Sequence, residues 1–225
     1  MYNFFMKDRL AVIARYKEDL DWLKDFNNPF MVYNKGPEWP YEIARKDIPN
    51  KGREAETYFR SIIENYSTLS QYKYMVFLQG NPFEHCHDLF EKINTYDDEN
   101  NIRYLSESNG FMELDKILYL KDFSVSLIEC LLKQNYSVQS GAVKSLLFLN
   151  FIGIEVKSCE WSYACGAQYI VPTKMILNKS VEWWMHVYRV FECYKSLGSD
   201  DFAYILEFTW PMIWNFSDNK KEDMS

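Results

Sequence analysis

The chain has 225 residues, of which 48% are hydrophobic, a composition that argues against disorder and supplies the core of one large domain. Its formal net charge of −7 argues against a nucleic-acid-binding surface, because affinity for phosphate backbones depends on clustered Lys and Arg. Five scattered cysteines without a CxxC pair predict reduced thiols and exclude a disulfide scaffold. The N-terminal apolar run is far shorter than the roughly 20 residues of a membrane helix, so we expect no membrane insertion and a cytoplasmic location.

The first third of the chain predicts alternating strands and helices. Residues 10–14 form a continuous apolar run, which is typical of a strand buried on both faces, and residues 17–26 have helical spacing. Residues 30–33 predict a second strand, which ends where Gly36 and Pro37 prevent its continuation. Strand, helix and strand at this spacing predict a βαβ unit whose strands lie parallel.

An irregular loop over residues 38–49 is expected to lead into a helix that begins near residue 50. Its apolar residues recur at spacings of three and four, which places them on one buried face: Ala55, Phe59, Ile62, Ile63 and Tyr66. Residues 73–78 predict a third buried strand, which ends in the sequence QGNP. The three predicted strands therefore each run into a polar turn.

The rest of the chain predicts fewer elements. Residues 123–134 favour a helix, whereas residues 143–156 form an apolar stretch that fits either a helix or a strand. Residues 169–171 predict a short strand, which is followed by a helix with one apolar face. A last helix is expected from about residue 201 until Pro211 disturbs it.

These elements predict an α/β fold with a central, mostly parallel sheet flanked by helices. We expect one domain over residues 1–216 and a polar tail over residues 217–225. In an open parallel sheet, ligands bind just beyond the carboxyl ends of the strands. Polar residues at the three predicted strand ends therefore form the candidate site: Arg15, Tyr16, Glu18 and Asp19 after the first, Asn34, Lys35 and Gly36 after the second, and Gln79 and Gly80 after the third.

Several segments resemble a known family. The sequences VIARYKEDLDWL (residues 12–23), VYNKG (32–36), and IPNKGREAETYFRSIIENY with YMVFLQGNPFEH (48–85) resemble an uncharacterised domain family that is similar to divergent GT-A glycosyltransferases. The resemblance implies a GT-A-like, Rossmann-like fold, with a nucleotide-sugar-binding half over residues 10–95 and an acceptor half over residues 96–216. GAQYIVPTKMI (166–176) and YILEFTW (204–210) are similar to acceptor-side segments of those enzymes.

The chain departs from GT-A enzymes at their metal motif. Where these enzymes carry Asp-x-Asp after the third strand, this chain has Leu78, Gln79, Gly80 and Asn81, and neutral amide oxygens bind Mg²⁺ or Mn²⁺ less well than carboxylates do. No metal ligand is assigned. Three readings stay open: catalysis without a metal, a divalent cation (Mn²⁺ or Mg²⁺) held by other ligands, or binding without catalysis.

Two candidate contacts to a diphosphate follow from residue type and position. Asn50, Gly52 and Arg53 stand at a helix start, where unpaired N–H groups and an arginine fork favour an anion. The alternative is that Arg53 and Glu54 pair with neighbours and cap the helix. Arg15 and Tyr16 are candidates for contact with a nucleobase and its phosphates, and Glu18 or Asp19 in the following turn could hold a ribose hydroxyl. A structural arginine at the strand end is the alternative for Arg15.

Two residues are candidates for proton transfer. Glu207 lies in an apolar run, where desolvation would raise the pKa of its carboxyl and suit it to act as a general base; a solvent-facing glutamate on an amphipathic helix is the alternative. His85 could donate to a phosphate or move a proton, or it could simply bond the backbone at a helix start. Its spacing from His87 does not favour zinc.

The resemblance implies a glycosyltransferase of glycan biosynthesis, which moves a sugar from a nucleotide-sugar donor to a hydroxyl of a glycan or glycoprotein. Arg15, Asp19, Lys35, Gly52 and Arg53 would then hold the donor, with Gln79 and Gly80 in place of the metal motif and Glu207 as the base. Two alternatives remain: a non-catalytic nucleotide-sugar or glycan-binding module, and a hydrolase that depends on His85.

Overall fold

The computed structural model describes residues 7–113, 138–156, 160–196 and 202–217. The strands are β1 Lys7–Arg15, β2 Phe30–Asn34, β3 Arg45–Asp47, β4 Tyr72–Gln79, β5 Arg103–Tyr104, β6 Asn109–Glu113, β7 Glu160–Ala164 and β8 Tyr169–Pro172. The helices are α1 Arg53–Asn65, α2 Leu89–Thr95, α3 Val138–Phe151, α4 Thr173–Leu177, α5 Val181–Ser196 and α6 Phe202–Asn215. Short 3₁₀ helices cover Asp21–Asp25, Tyr66–Gln71 and Pro82–Glu84.

Six of the strands form one mixed sheet in the order β3-β2-β1-β4-β8-β5. The first four run parallel, whereas β8 pairs antiparallel with both β4 and β5. Strands β6 and β7 form a separate antiparallel ribbon. The predicted single-domain α/β architecture is confirmed, with the parallel half of the sheet built from the N-terminal third of the chain.

The two central strands are buried on both faces, as their unbroken apolar sequences predict. Along β1, Leu10 and Val12 pack into the core under α1, α5 and α6, whereas Ala11 and Ile13 pack into a second core on the opposite face. This alternation follows the two-residue period of a strand. Burial on both sides fixes the register of β1, so the residues just beyond its end are placed precisely.

The prediction of a regular helix over residues 17–26 is wrong, because only a short 3₁₀ helix forms there, over Asp21–Asp25. Asp19 explains the difference, because its carboxylate accepts hydrogen bonds from the Asp21 amide at 2.7 Å and from the Tyr41 hydroxyl at 3.0 Å. Such a side-chain bond to the following backbone favours a turn over a regular helix. The connection from β1 to β2 therefore contains no α-helix.

Of the other predicted elements, some are confirmed and some are wrong. The expected strand at residues 169–171 is confirmed as β8, and the ambiguous stretch at 143–156 belongs largely to helix α3. The supposedly irregular loop before residue 50 contains β3. Helix α6 continues past Pro211 to Asn215, so the expected end at the proline is wrong. The helix predicted at residues 123–134 lies outside the described residues.

Helix α1 lies across the sheet on the predicted face. Ala55, Phe59 and Ile62 are fully buried, whereas Ile63 and Tyr66 are partly buried at the edge of the same core. The N-terminus of α1 lies at the carboxyl ends of the parallel strands. Within the described parts of the chain, no helix combines the length and the apolar character needed to cross a bilayer.

Candidate active site

A cavity of about 460 Å³ opens where the parallel strands β1, β2 and β4 end. This is the edge of the sheet at which the sequence predicts a ligand site, and the volume lies within the range of small-molecule pockets. Predicted site residues that line it are Arg15, Tyr16, Lys35, Asn50, Arg53, Gln79 and His85. The lining also includes Glu18, which belongs to the predicted site at the end of β1, and four residues outside the predicted site: Ala14, Glu54, Asn81 and Glu84.

The strand ends meet because two glycines allow backbones to approach. A Cβ on Gly36 would lie 1.5 Å from the carbonyl oxygen of Tyr16, and one on Gly80 would lie 2.5 Å from the carboxylate of Glu18. A side chain at position 36 would push the loops after β1 and β2 apart, whereas one at position 80 would displace the side chain of Glu18. Gly36 and Gly80 therefore shape the cavity without being part of its lining.

Arg15 holds the loops around the cavity together. Its guanidinium donates to the side-chain oxygen of Asn34 at 2.7 Å, to the carbonyl of Glu38 at 2.6 Å and to the carbonyl of Glu18 at 2.9 Å. It also packs over the ring of Trp39, and only 3% of the residue is exposed. These bonds occupy most of its donors, so Arg15 acts chiefly as a scaffold on the cavity wall.

Asn34 and Asp19 lie outside the lining of the cavity. Asn34 is buried and uses its amide on Arg15, on Gly36 and on the carboxylate of Asp47, the last at 2.8 Å. Asp19 is exposed and closes the turn that replaces the predicted helix. Both residues support the neighbouring loops, a different role from the ligand contacts that the sequence predicts for them.

The amino group of Lys35 points into the protein, beneath the start of α1. It donates to the carbonyl of Lys51 at 2.7 Å and to the carbonyl of Arg53, and it forms an ion pair with Glu56 at 3.1 Å. Burial lowers the pKa of Lys35 despite this pairing. Because three acceptors match the three N–H bonds of an ammonium, Lys35 has no donor left for a ligand.

Arg53 differs from the other two cations of the cavity. Its guanidinium stacks over the ring of Tyr204 at 5.5 Å and, within the described ranges, makes no hydrogen bond or ion pair. The residue is exposed at the cavity wall. Its five N–H donors are therefore available to an anion such as a phosphate.

Backbone strain is concentrated at this site. Among the described residues other than glycine, only Arg53 and Ala167 have positive φ, at 48° and 50°, a conformation that costs L-residues free energy. Each follows a glycine with positive φ, Gly52 at 61° and Gly166 at 82°. Such strain persists only where the surrounding packing imposes it, which is common at ligand sites.

Glu207 and His85, predicted from distant parts of the sequence, meet at Gly166. The carboxylate of Glu207 accepts a hydrogen bond from the amide of Gly166 at 3.1 Å, and the imidazole of His85 packs against the same glycine. His85 lines the cavity, and Glu207 lies on α6 next to this part of the lining. Burial raises the pKa of Glu207 to about 7, and the negative charge of Glu54 adds to this effect.

Glu54 is the main residue of the site that the sequence prediction treats only as a helix-capping partner. It stands in the first turn of α1 and lines the cavity. Burial raises the pKa of its carboxyl, whereas a bond to its own amide and the charge of Arg53 act in the opposite direction. Glutamate is common in the first turn of any helix, so its position alone did not mark it as functional.

A family model described as "Protein of unknown function (DUF3431)" matches residues 10–224. The chain belongs to this family. The match contains every residue that lines the cavity and also helix α6 with Glu207, so the site lies within one family unit. It confirms the resemblance to an uncharacterised domain family. No curated protein and no solved structure matches the chain.

The segment after β4 brings two amide side chains to the cavity. Gln79 and Asn81 both belong to its lining. Within the described residues, no group of three His, Cys, Asp or Glu side chains is arranged to hold a metal ion.

Gly166→Ala is expected to destabilise the protein by about 2–4 kcal/mol, because it combines an unfavourable positive φ with a clash. A Cβ at this position would lie 2.4 Å from the His85 ring. Urea unfolding measures the loss. The matched control is Gly153→Ala, where φ is 81° but nothing lies within 4 Å of the new Cβ, so equal losses for the two variants would contradict the packing of His85 on Gly166.

Proposed function

We propose that the protein is a glycosyltransferase of GT-A type, which transfers a sugar from a nucleoside diphosphate donor to a hydroxyl of a glycan or glycoprotein. The observation that carries this proposal is the single cavity at the carboxyl ends of the parallel strands, with an unpaired arginine on its wall and a carboxylate of raised pKa beside it. The resemblance of residues 10–90 to divergent GT-A enzymes supports the same assignment.

Arg53 is the residue best placed to hold the diphosphate. Its donors are free, whereas those of Lys35 and most of those of Arg15 bond to the protein. A guanidinium can bind two phosphate oxygens at once through its parallel N–H bonds. The exposed ring of Tyr16, 40% accessible at the cavity wall, offers a flat surface on which a nucleobase can stack.

The carboxylates that line the cavity can bind the hydroxyl groups of a sugar. Glu18, Glu54 and Glu84 line the same space as Gln79 and Asn81, and together they provide acceptors and donors for hydroxyl groups. Glu207 is the proposed base: ionised, it can take the proton of the acceptor hydroxyl as that oxygen attacks the anomeric carbon. His85, next to Glu207, is positioned to contact the leaving phosphate.

Thermal shift with UDP and GDP tests the donor site, with and without Mn²⁺. A nucleotide that binds the native state at 100 times its Kd is expected to add about 2.7 kcal/mol of stability and to raise the Tm accordingly. Arg53→Ala should weaken this binding by at least about 10-fold, because it removes a charge-assisted, two-point contact.

The matched control for Arg53→Ala is Arg45→Ala. Arg45 also stacks on an aromatic ring, that of Trp39 at 4.9 Å, but it lies outside the cavity lining. Its removal is expected to leave nucleotide binding unchanged. Equal weakening by both variants, or no Tm shift with any nucleoside diphosphate, would contradict the proposed donor site.

A second candidate is a nucleotide-sugar-binding module without catalysis. The amides of Gln79 and Asn81 at the position of the metal motif favour it, because they bind a divalent cation less well than aspartates do. Release of free nucleoside diphosphate from a panel of UDP- and GDP-sugars separates the two functions. Binding without release across the panel, in the presence of glycan acceptors and Mn²⁺, would favour the module.

A further inference from the structure

Helices α1 and α6 both contact the backbone turn formed by Gly166 and Ala167. Glu207 accepts the amide hydrogen of Gly166 at 3.1 Å. Tyr58, four residues after Glu54 on α1, donates its hydroxyl to the carbonyl of Ala167 at 3.1 Å. Since residues four apart lie on one face of a helix, the face of α1 that carries Glu54 and the face of α6 that carries Glu207 converge on this turn.

A second contact joins the starts of the two helices. The guanidinium of Arg53, the residue before Glu54, stacks over the ring of Tyr204 at 5.5 Å. Tyr204 precedes Glu207 by three residues and therefore lies on the same side of α6. Two independent contacts thus bring the helix segments that carry Glu54 and Glu207 to one corner of the cavity.

The surroundings of this corner contain little that could neutralise two carboxylates. Arg53 acts on both carboxyls, whereas Lys35 acts on Glu54 and also forms an ion pair with Glu56. Glu18 adds a further negative charge from the turn after β1.

The other titratable groups around the corner are uncharged or partly exposed. The hydroxyls of Tyr58 and Tyr169 are buried, and burial raises the pKa of each well above its ordinary value. The hydroxyl of Tyr169 has no hydrogen-bond partner among the described residues. The partly buried ring of His85 touches Gly166.

We propose that Glu54 and Glu207 act as one carboxyl pair that retains a single proton near neutral pH. Two carboxyls in a shared, poorly solvated site cannot both ionise freely, because each negative charge disfavours the other. Desolvation raises the pKa of both carboxyls, and the negative charge of Glu54 raises the pKa of Glu207 further. Glu54 is then a functional member of the site and not merely a helix-capping residue.

The role of the pair in chemistry rests on the proposed glycosyltransferase function. The acceptor oxygen forms a bond to the anomeric carbon, and the bond from that carbon to the diphosphate oxygen breaks, with its electron pair leaving on the nucleoside diphosphate. The proton of the acceptor hydroxyl passes to Glu207, which is ionised once the pair has released its own proton. The pair therefore sets the pH above which the base becomes available.

Titration of the glutamate carboxyls by ¹³C NMR, on protein labelled at the side-chain carboxyl carbon, tests the pair without any substrate. The signals of Glu54 and Glu207 are assigned by their loss in Glu54→Gln and Glu207→Gln. In each variant we expect the titration midpoint of the remaining partner to move down by about one pH unit or more, which is the size of coupling expected for interacting sites. Coupling of this kind is reciprocal, so either variant alone reports it if the other fails to fold.

The matched control is Glu84→Gln, which removes a carboxylate from the same cavity lining and should leave both midpoints in place. If the Glu207 midpoint is the same with and without Glu54, the pair does not exist, whatever the protein catalyses. Reciprocal shifts in a protein that turns over no donor would uphold the pair and contradict the glycosyltransferase function. The two proposals therefore fail separately.

Discussion

Glu207→Gln is expected to slow sugar transfer by about 10²–10⁴-fold, the usual contribution of a general base, while donor affinity stays within about 2-fold. Glutamine keeps an oxygen that can accept the Gly166 amide hydrogen, which Glu207 now binds at 3.1 Å, but it cannot take up a proton. The kcat of the purified variant and the Kd of the nucleoside diphosphate, measured by calorimetry, separate these two effects. Equal losses in both would indicate a structural role for Glu207.

The pH dependence provides an independent check on the same residue. Burial raises the pKa of Glu207 from 4.5 to about 7, and a base works only when ionised, so the rate should rise with pH through about 7. Residual activity of Glu207→Gln should lack this rise. A wild-type rate that is flat between pH 5 and 8, or an unchanged profile in the variant, would contradict the assignment.

The free energy of unfolding should fall as Glu207 ionises, whereas the transfer rate should rise. The pKa of the folded state lies above that of the unfolded chain, so the folded protein binds more protons between about pH 4.5 and 7. The contribution of this carboxyl to stability is therefore present at low pH and is lost as the pH rises through about 7. Urea unfolding of the wild type and of Glu207→Gln across this range measures the difference.

Substitution of His85 distinguishes the remaining enzymatic alternative. His85 lines the cavity and packs on Gly166 close to Glu207, so both side chains are in position for proton transfer. Loss of activity in His85→Ala together with full activity in Glu207→Ala would favour a histidine-dependent hydrolase over the proposed transferase.

The place of the cavity could be predicted because it depends on local patterns. Unbroken apolar runs identify β1, β2 and β4, and buried parallel strands end at one edge of a sheet. Arg15, Arg53 and Gln79 follow or begin elements at this edge, and the structure gathers them around one cavity. Apolar patterning therefore sufficed to bring distant polar residues together.

Apolar patterning could not predict which cation supports the fold and which is available to a ligand. Lys35 and Arg53 look equally suitable for a phosphate in the sequence, but the amino group of Lys35 bonds to Glu56, 21 residues away, whereas Arg53 stacks on Tyr204 near the other end of the chain. Which donors remain free depends on these long-range contacts. Glu54 was overlooked for the same reason, since only folding brings it near Glu207.

Lys35→Met is expected to destabilise the protein by about 2–4 kcal/mol, somewhat less than the cost of leaving a buried charge with no partner, because Arg60 still pairs with Glu56 at 3.0 Å. Glu56 is fully buried, and the ammonium of Lys35 binds it at 3.1 Å; Arg60 and Tyr188 would remain as its other contacts. The double variant Lys35→Met/Glu56→Gln should recover most of the loss, because it leaves no buried carboxylate. Urea unfolding of both single variants and the double variant gives the interaction energy.

The control for this cycle is Lys46→Met, which breaks a shorter but more exposed ion pair. Lys46 lies 2.6 Å from Glu64, and half of its side chain is accessible to solvent, so its removal should cost less than about 1 kcal/mol. The contrast isolates burial as the cause, since the charges are the same and the distance in the control is shorter. A double variant as unstable as the sum of its two single variants would show that Lys35 and Glu56 stabilise the start of α1 independently of each other.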